Sequence, residues 1–263
     1  MMFSCIIPVI KNPKPFTPTQ AGPFVPPQVQ IKSLGTHSKK IWVVGYMNAG
    51  LDECLSDLKN SFENGADAVV FEGHDYKKMD NLLAEIRKKY PTQIIGVDFL
   101  GPDANLYTYK ETFDLAKRHH LQIAWTDFSG IDQINESSDV NLHDIQANTS
   151  PNIFYVSGIH MKYSTLIDAN KTIEKSALQA MGFVDGIIMT GPKTGVSADP
   201  EKVSRVRRII HDYPLGLASG ISSDNVKSFL PYIDFVLVNT SIADKDHRIL
   251  PEKVKALRKA MGN

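Results

Sequence analysis

Cysteine is nearly absent from this 263-residue chain, which has only Cys5 and Cys54. Two thiols build neither a disulfide framework nor a zinc cluster, so reduced thiols in a cytoplasmic protein are expected. Net charge is absent too. The 29 basic residues balance 29 acidic ones, which removes any global electrostatic case for nucleic acid as a partner. A long hydrophobic run is also missing. Phe3 to Ile10, the longest near the start, is short, is interrupted by Pro8 and precedes no small-residue cleavage site. A membrane span needs roughly 20 apolar residues, so no transmembrane segment is expected. Apolar composition is not lacking: hydrophobic residues make up 42% of the chain, enough for a sizeable core in one large α/β domain.

A further absence divides the chain. No acidic residue precedes Asp52, so the first 51 residues carry five lysines and a charge of +5, and the remainder carries −5. Seven of the 15 prolines fall before residue 30. Residues 1–40 are therefore expected to form a Pro-rich N-terminal extension in irregular or polyproline conformation. An organelle-targeting segment is the alternative, but the leader has no arginine and little serine.

From Ile41 onward one unit recurs: a short apolar run, a turn rich in Gly, Asp or Ser, and an amphipathic helical stretch. The runs lie at 41–47, 66–73, 93–101, 121–130, 152–161, 184–191, 215–222 and 234–241. Such short, continuous runs suit parallel strands buried on both faces. Between them, residues such as Leu51, Leu55, Leu58 and Phe62 share one helical face, and Gly65 stands where a C-cap is expected. SADPEK and Pro251 are helix starts, and Ser222–Asp224 should open a short helix containing Phe229. Eight strands alternating with helices predict an α/β fold, a single (β/α)8 TIM barrel over residues 41–263. A doubly wound open sheet is the rival, but its GxGxxG fingerprint is missing: the first turn reads GYMNAGLDE. The polar insertion 131–151 is either a lid over the C-terminal mouth or a surface excursion.

In such barrels chemistry sits at the C-terminal strand ends. Those ends are Asn48, Glu72, Asp98, Asp127, His160 with Lys162, Thr190, Ser219 and Asn239. Three successive strands ending in carboxylates opposite a lysine suggest general acid/base work, so Glu72, Asp98, Asp127 and Lys162 are the candidate catalytic residues. Helix capping by the same acids is the alternative. A second set is rich in glycine and hydroxyls: Thr190, Gly191, Thr194 and Gly195 after the sixth strand, Ser219, Gly220 and Ile221 after the seventh, and Asn239, Thr240 and Ser241 at the eighth. Glycine lets the backbone approach a ligand, and loops seven and eight form the recurrent phosphate site of many barrels. These are the candidate phosphate-binding residues, with plain βα turns as the alternative.

Other residues carry less. His119 and His120 close a helix, and RKKY and RVRR read as solvated helix faces. Trp42 and Trp125 read as core. His74 joining Asp98 and Asp127 around a metal is an alternative without HxH or HExxH spacing behind it, so neither metal nor cofactor is assigned.

The string IHMKYS followed by DGIIMTGPKTG, then SGISSDNV and DFVLVNTSI, resembles the BtpA/SgcQ family, with FEGHD and GVDFLGPDA similar to its second and third strands. The resemblance spans residues 41–262 and is most specific between 158 and 242. YMNAGLD replaces the family's HLxPLPG loop, Asp98 its usual Asn, and Asn239 its Gly, so the chain resembles a divergent member. The resemblance implies a barrel of the ribulose-phosphate-binding type. It implies no settled reaction, and together with the candidate residues it leaves two functions. The first is an enzyme acting on a small phosphorylated ligand, a sugar phosphate or phosphoribosyl compound, as an isomerase or lyase. The second is a non-catalytic biogenesis or regulatory factor that keeps a phosphate cup. Assembly into a homo-oligomer is left open.

Overall fold

A parallel strand buried on both faces sends alternate side chains to opposite sides, and here that alternation builds two cores. The computed structural model of the chain describes residues 39–101, 108–128, 130–131, 133–134, 142–163, 165–166 and 169–262. The expected N-terminal extension therefore lies outside the described residues, apart from Lys39 and Lys40.

The barrel strands are β1 (Lys40–Tyr46), β2 (Ala68–Gly73), β3 (Ile95–Phe99), β4 (Ile123–Thr126), β5 (Phe154–Gly158), β6 (Gly186–Thr190), β7 (Leu215–Ala218) and β8 (Phe235–Val238). Each is parallel to the next, and β8 pairs with β1 to close the ring. The helices are α1 (Leu51–Phe62), α2 (Tyr76–Lys89), α3 (Tyr109–Arg118), α4 (Leu142–Asn148), α5 (Ile173–Ala180), α6 (Pro200–Ile210) and α7 (Pro251–Ala260). The fold is a (β/α)8 TIM barrel.

Outward residues such as Val43, Phe71, Val97 and Leu217 pack against Leu58, Leu83, Phe113, Val206 and Leu257 of the helices. Inward residues Trp42, Val44, Val70, Ile123, Trp125, Val156, Ile188 and Leu237 fill the barrel. Counting on by two from Trp42 and Val44 brings Tyr46 inward at the top of β1, and from Ala68 and Val70 it brings Glu72 inward on β2. The register sets Tyr46 beside Glu72 and Glu72 beside Asp98. Alternation thus carries a polar layer to the C-terminal mouth.

Local chemistry fixes the helix ends. Asp75, Thr172 and Asp199 accept the backbone N–H of Lys78 (3.0 Å), Lys175 (3.3 Å) and Glu201 (3.0 Å) at the starts of α2, α5 and α6. Proline opens α6 and α7, as SADPEK and Pro251 suggest. Three expectations need correction. α1 stops at Phe62 with Glu63 as its C-cap, so Gly65 sits in the turn beyond. The helix expected around Phe229 is a single 3₁₀ turn, Val226–Ser228, because Asn225 folds back to accept Ser222 N–H (2.9 Å) and donate to the Gly220 carbonyl (2.7 Å). Arg87 and Arg207 are not solvated: each binds carbonyls of its own following loop and one of a neighbouring loop at the N-terminal face. Of the insertion 131–151, residues 132 and 135–141 lie outside the described residues. Its helix α4 packs beside α3 on the outer wall, where Ile145 is buried.

The floor of the barrel is a ring pair. Trp42 stacks on Phe235 at 4.1 Å between centroids, and Phe154 meets Trp42 edge-on at 6.1 Å. Gly216 lies opposite Phe235, and a Cβ there would fall 2.1 Å from the ring. Gly216→Ala should therefore destabilise the fold by about 1–3 kcal/mol, an overpacking cost read as a lower unfolding midpoint in calorimetry. An unchanged midpoint would mean that the stacked rings have room to shift.

Candidate active site

The strand ends enclose a cavity of about 400 Å³. Its wall includes Glu72, Asp127, Lys162, Thr190, Thr194, Gly195, Ser219, Gly220, Ile221, Asn239, Thr240 and Ser241. Asp98 and Gly191, also expected at the site, do not line it. Asp98 is buried at 1% exposure, beside Glu72 in the sheet register. His160 is not at the mouth either: its Nε2 lies 3.2 Å from Ser176 Oγ on α5, on the outside of the barrel.

Lys162 joins the two sets of residues. Its Nζ donates to Ser219 Oγ at 2.8 Å and to Thr194 Oγ1 at 3.2 Å, and its charge acts on Glu72 and Asp127. The Thr190 hydroxyl accepts the Lys162 backbone N–H at 3.1 Å, so Thr190 holds the lysine in place. Ser219 and Gly220 are both in the left-handed region, at φ 69° and 66°. A Cβ at Gly220 would lie 2.2 Å from backbone atoms of Val196 and Ser197, so glycine is required by both conformation and space. No α-helix begins at Ser222, and the positive helix end expected beside Gly220 is replaced by the Asn225-braced turn. Ser241 Oγ is buried on the cavity wall without a hydrogen-bond partner among the described residues.

Asn239 has a different role from that expected of it. Its Nδ2 donates to the Val44 carbonyl at 2.7 Å, which leaves Oδ1 to accept from His247 Nδ1 at 3.0 Å. Both ends of the amide are thus used inside the protein. The site also contains Tyr46, Trp125, Met161 and Asn225, which sequence reasoning missed. Tyr46 was findable by counting inward positions along β1. Trp125 belongs to the inner core, as expected, and its ring is also part of the cavity floor. Asn48 is exposed, and its carbonyl accepts from Lys78 Nζ at 2.6 Å.

Electrostatics follow from enclosure. Burial, then the Asp127 charge, push the Glu72 carboxyl up to about 8, against the pull of Lys162 and a hydrogen bond from the Tyr46 hydroxyl. Burial raises Asp127, and Lys162 offsets part of that rise. Burial and the charges of Asp127 and Glu72 hold Asp98 well above the usual carboxylate range. Asp98 Oδ2 has no hydrogen-bond partner among the described residues, which suits a protonated carboxyl better than an ion. Among the described residues no three His, Cys, Asp or Glu side chains converge to hold a metal ion. His119 forms the C-cap of α3 and pairs with Asp80 at 2.7 Å, and His74 Nδ1 meets the Gly101 carbonyl at 2.6 Å.

These raised groups set a pH dependence. A carboxyl whose folded-state pKa is raised contributes stability that is complete below its unfolded pKa and lost as pH rises through the folded value. Stability should therefore fall between about pH 4.5 and pH 8 as Glu72 ionises. Asp98→Asn removes one of the raised, titrating carboxyls at nearly constant shape. It should shrink the fall in unfolding temperature between pH 5 and pH 9 by about 3 °C or more, and leave the pH 5 value almost unchanged. Parallel curves for wild type and variant would show that Asp98 does not share the cluster's proton.

Comparison with known proteins adds the lineage. An uncharacterized protein of Pyrococcus horikoshii is 24% identical over 217 residues, covering 76% of this chain and 81% of its own. An uncharacterized protein of Caenorhabditis elegans, described as mitochondrial, is 24% identical over 226 residues, covering 73% and 76%. Among solved structures, phosphoribosyl anthranilate isomerase from Thermus thermophilus superposes with a TM-score of 0.58 at 12% identity, covering 84% of this chain and 98% of the isomerase. Tryptophan synthase of Mycobacterium tuberculosis gives 0.63 at 12% identity, covering 90% and 99%. Among the described residues no helix is long and apolar enough to cross a membrane. The sequence profile of the BtpA family matches residues 128–262, the half that holds Lys162 and the three glycine- and hydroxyl-rich loops, and the chain belongs to the BtpA family.

Proposed function

We propose that the protein is an enzyme acting on a small phosphorylated metabolite, a sugar phosphate or phosphoribosyl compound, by acid/base or aldol-type chemistry at the barrel mouth. The observation that carries this reading is the position of Lys162, whose ammonium touches hydroxyls of loops six and seven and shares a cavity with Glu72 and Asp127. Phosphate oxygens would sit among Thr194, Gly195, Gly220, Ile221, Thr240 and the Ser241 hydroxyl, which has no hydrogen-bond partner among the described residues. The remaining carbons then extend toward the carboxyls. A phosphoribosyl-processing isomerase on the same barrel supports the substrate class. The protein works in the cytoplasm on this reading, or in an organelle as the nematode relative's description suggests.

The roles follow from charge. Lys162 stabilises an ionised Asp127, which takes a proton from the substrate as general base. Glu72 accepts the Tyr46 hydrogen bond and keeps its own proton near neutral pH, so it donates as general acid. Asp98 lies beside Glu72 but off the cavity wall, and it keeps its own proton against the Asp127 and Glu72 charges. In an aldol-type reaction Lys162 serves as electrostatic partner or as Schiff-base nucleophile.

Titration with inorganic phosphate tests the cup. Ser219→Ala should weaken binding about threefold to tenfold and Lys162→Met more strongly. Glu72→Gln should leave phosphate affinity intact but slow carbon–hydrogen exchange of ribose or ribulose 5-phosphate in deuterated water by about 10²–10⁴-fold. A borohydride-trapped adduct on Lys162 would select the Schiff-base route. Equal phosphate affinity in the wild type, Ser219→Ala and Lys162→Met would sink the cup. Phosphate binding without exchange, combined with an intact cellular phenotype for Glu72→Gln, would leave a ligand-sensing factor.

A further inference from the structure

A second cavity, of about 570 Å³, opens against the first and shares Tyr46, Glu72 and Leu100 with it. Its other walls include Asn48, His74, Lys78 and His247. Nothing in the phosphate-cup reading uses it. Its two imidazoles are both fixed in tautomer. A carbonyl oxygen only accepts, so His74 Nδ1, 2.6 Å from the Gly101 carbonyl, carries the hydrogen. Asn239 Nδ2 is committed to the Val44 carbonyl, so its Oδ1 accepts and His247 Nδ1 carries the hydrogen there as well. In each neutral ring the lone pair is thereby left on Nε2, a hydrogen-bond acceptor.

His247 is held in an unfavourable backbone conformation. It sits at φ 61°, uncommon for a histidine, on a loop closed by the Ala243–Ile249 bridge. The next two residues bolt that loop to α1: Arg248 pairs with the buried Asp57 at 2.8 Å, and the Ile249 N–H donates to Asp57 at 2.9 Å. The His247 ring stands edge-on to Tyr46, 5.0 Å between centroids, and the Tyr46 hydroxyl reaches Glu72. A buried ion pair, a barrel-strand carbonyl and an asparagine thus converge on one imidazole orientation.

Building on the phosphate-cup reading, we infer that the second cavity takes the other arm of a two-armed substrate. That arm is a ring-sized group rich in N–H or O–H donors, such as an aminated heterocycle, which His74 and His247 accept through Nε2. The two arms meet at Glu72, the carboxyl common to both cavities, so the acid acts at the carbon that joins them. Asn239 is a positioning residue for His247.

The probes are ribose 5-phosphate and the same phosphate bearing an aminated ring, as adenosine and cytidine 5′-monophosphates, titrated calorimetrically into the full chain. At least one nucleotide should bind about tenfold tighter than ribose 5-phosphate, the gain of one or two hydrogen bonds. His74→Ala and His247→Asn should bring the ratio toward one without changing ribose 5-phosphate affinity. Asparagine tolerates the left-handed backbone at position 247, so that variant should keep the wild-type unfolding temperature. Asn239→Ala should lower the ratio in the same direction. Binding of none of the three probes would overturn the phosphate cup itself. Equal affinity for all three in the wild type would overturn the second arm and leave the cup standing. A ratio that persists in both histidine variants would overturn the assignment of His74 and His247.

Discussion

Three carboxyl groups enclosed at one end of a parallel barrel cannot all ionise beside the Lys162 ammonium. Glu72, Asp98 and Asp127 are brought together by strand register and by the two-residue alternation, not by attraction for one another. The cost is desolvation first and mutual repulsion second, and protonation relieves both. The site is therefore a proton store whose occupancy near neutral pH follows from its geometry. Every other feature of the mouth answers to it: Tyr46 hydrogen-bonds the raised Glu72, and Lys162 holds charge in the cluster while touching the loop hydroxyls.

The same residue types do the opposite work at the other end of the barrel. Asp67, Asp185 and Asp234 each precede a strand and accept a backbone N–H of a neighbouring one, from Ile41 (2.8 Å), Tyr155 (2.8 Å) and Leu215 (3.0 Å). Gln122 does so for Ile95 at 3.1 Å. Arg258 binds Asp67, Arg207 binds Asp234, and Arg87 binds Gln122, each from a helix whose arginine also holds loop carbonyls. There the acids complete the sheet's hydrogen bonds, and Asp67 and Asp234 also have guanidinium partners, whereas Asp185 has the Tyr155 N–H and is pushed up to about 6 by burial. The acids before these strands complete the sheet, whereas those at the ends of β2 to β4 crowd together at the mouth. This division lets the mouth carry unfavourable charge without loss of the fold.

That division marks how far the residues could be read. Eight apolar runs, helix starts at Pro200 and Pro251, and acids at the ends of β2 to β4 are local signals, and the barrel and its inward carboxyls follow from them. What stayed hidden depends on contacts between distant segments. Asn239 has the composition of a ligand-binding residue, but its amide is satisfied by Val44 and His247, from the first strand and the last loop. His247 lies in no periodic segment and is fixed by Asp57, about 190 residues away in sequence. The positive φ at Ser219 and Gly220, and the collapse of an expected helix into one 3₁₀ turn, go with the Asn225 side chain folding onto the Gly220 carbonyl. No periodicity in SGISSDNV announces that fold-back.

Lys162 also couples the two halves of the mouth by charge. Its ammonium lowers the raised carboxyls, and it touches the loops through Ser219 and Thr194. A phosphate dianion held by those loops would screen the same ammonium from Glu72 and Asp127 and add negative charge nearby. Both changes favour the protonated carboxyl. Ligand arrival would thus be linked to proton uptake at Glu72, the group set between the two cavities, and by reciprocity a protonated Glu72 would favour the ligand. On the proposed function, the acid would be loaded when a substrate is present, because the cation that would receive the phosphate is the one that lowers the carboxyl's pKa.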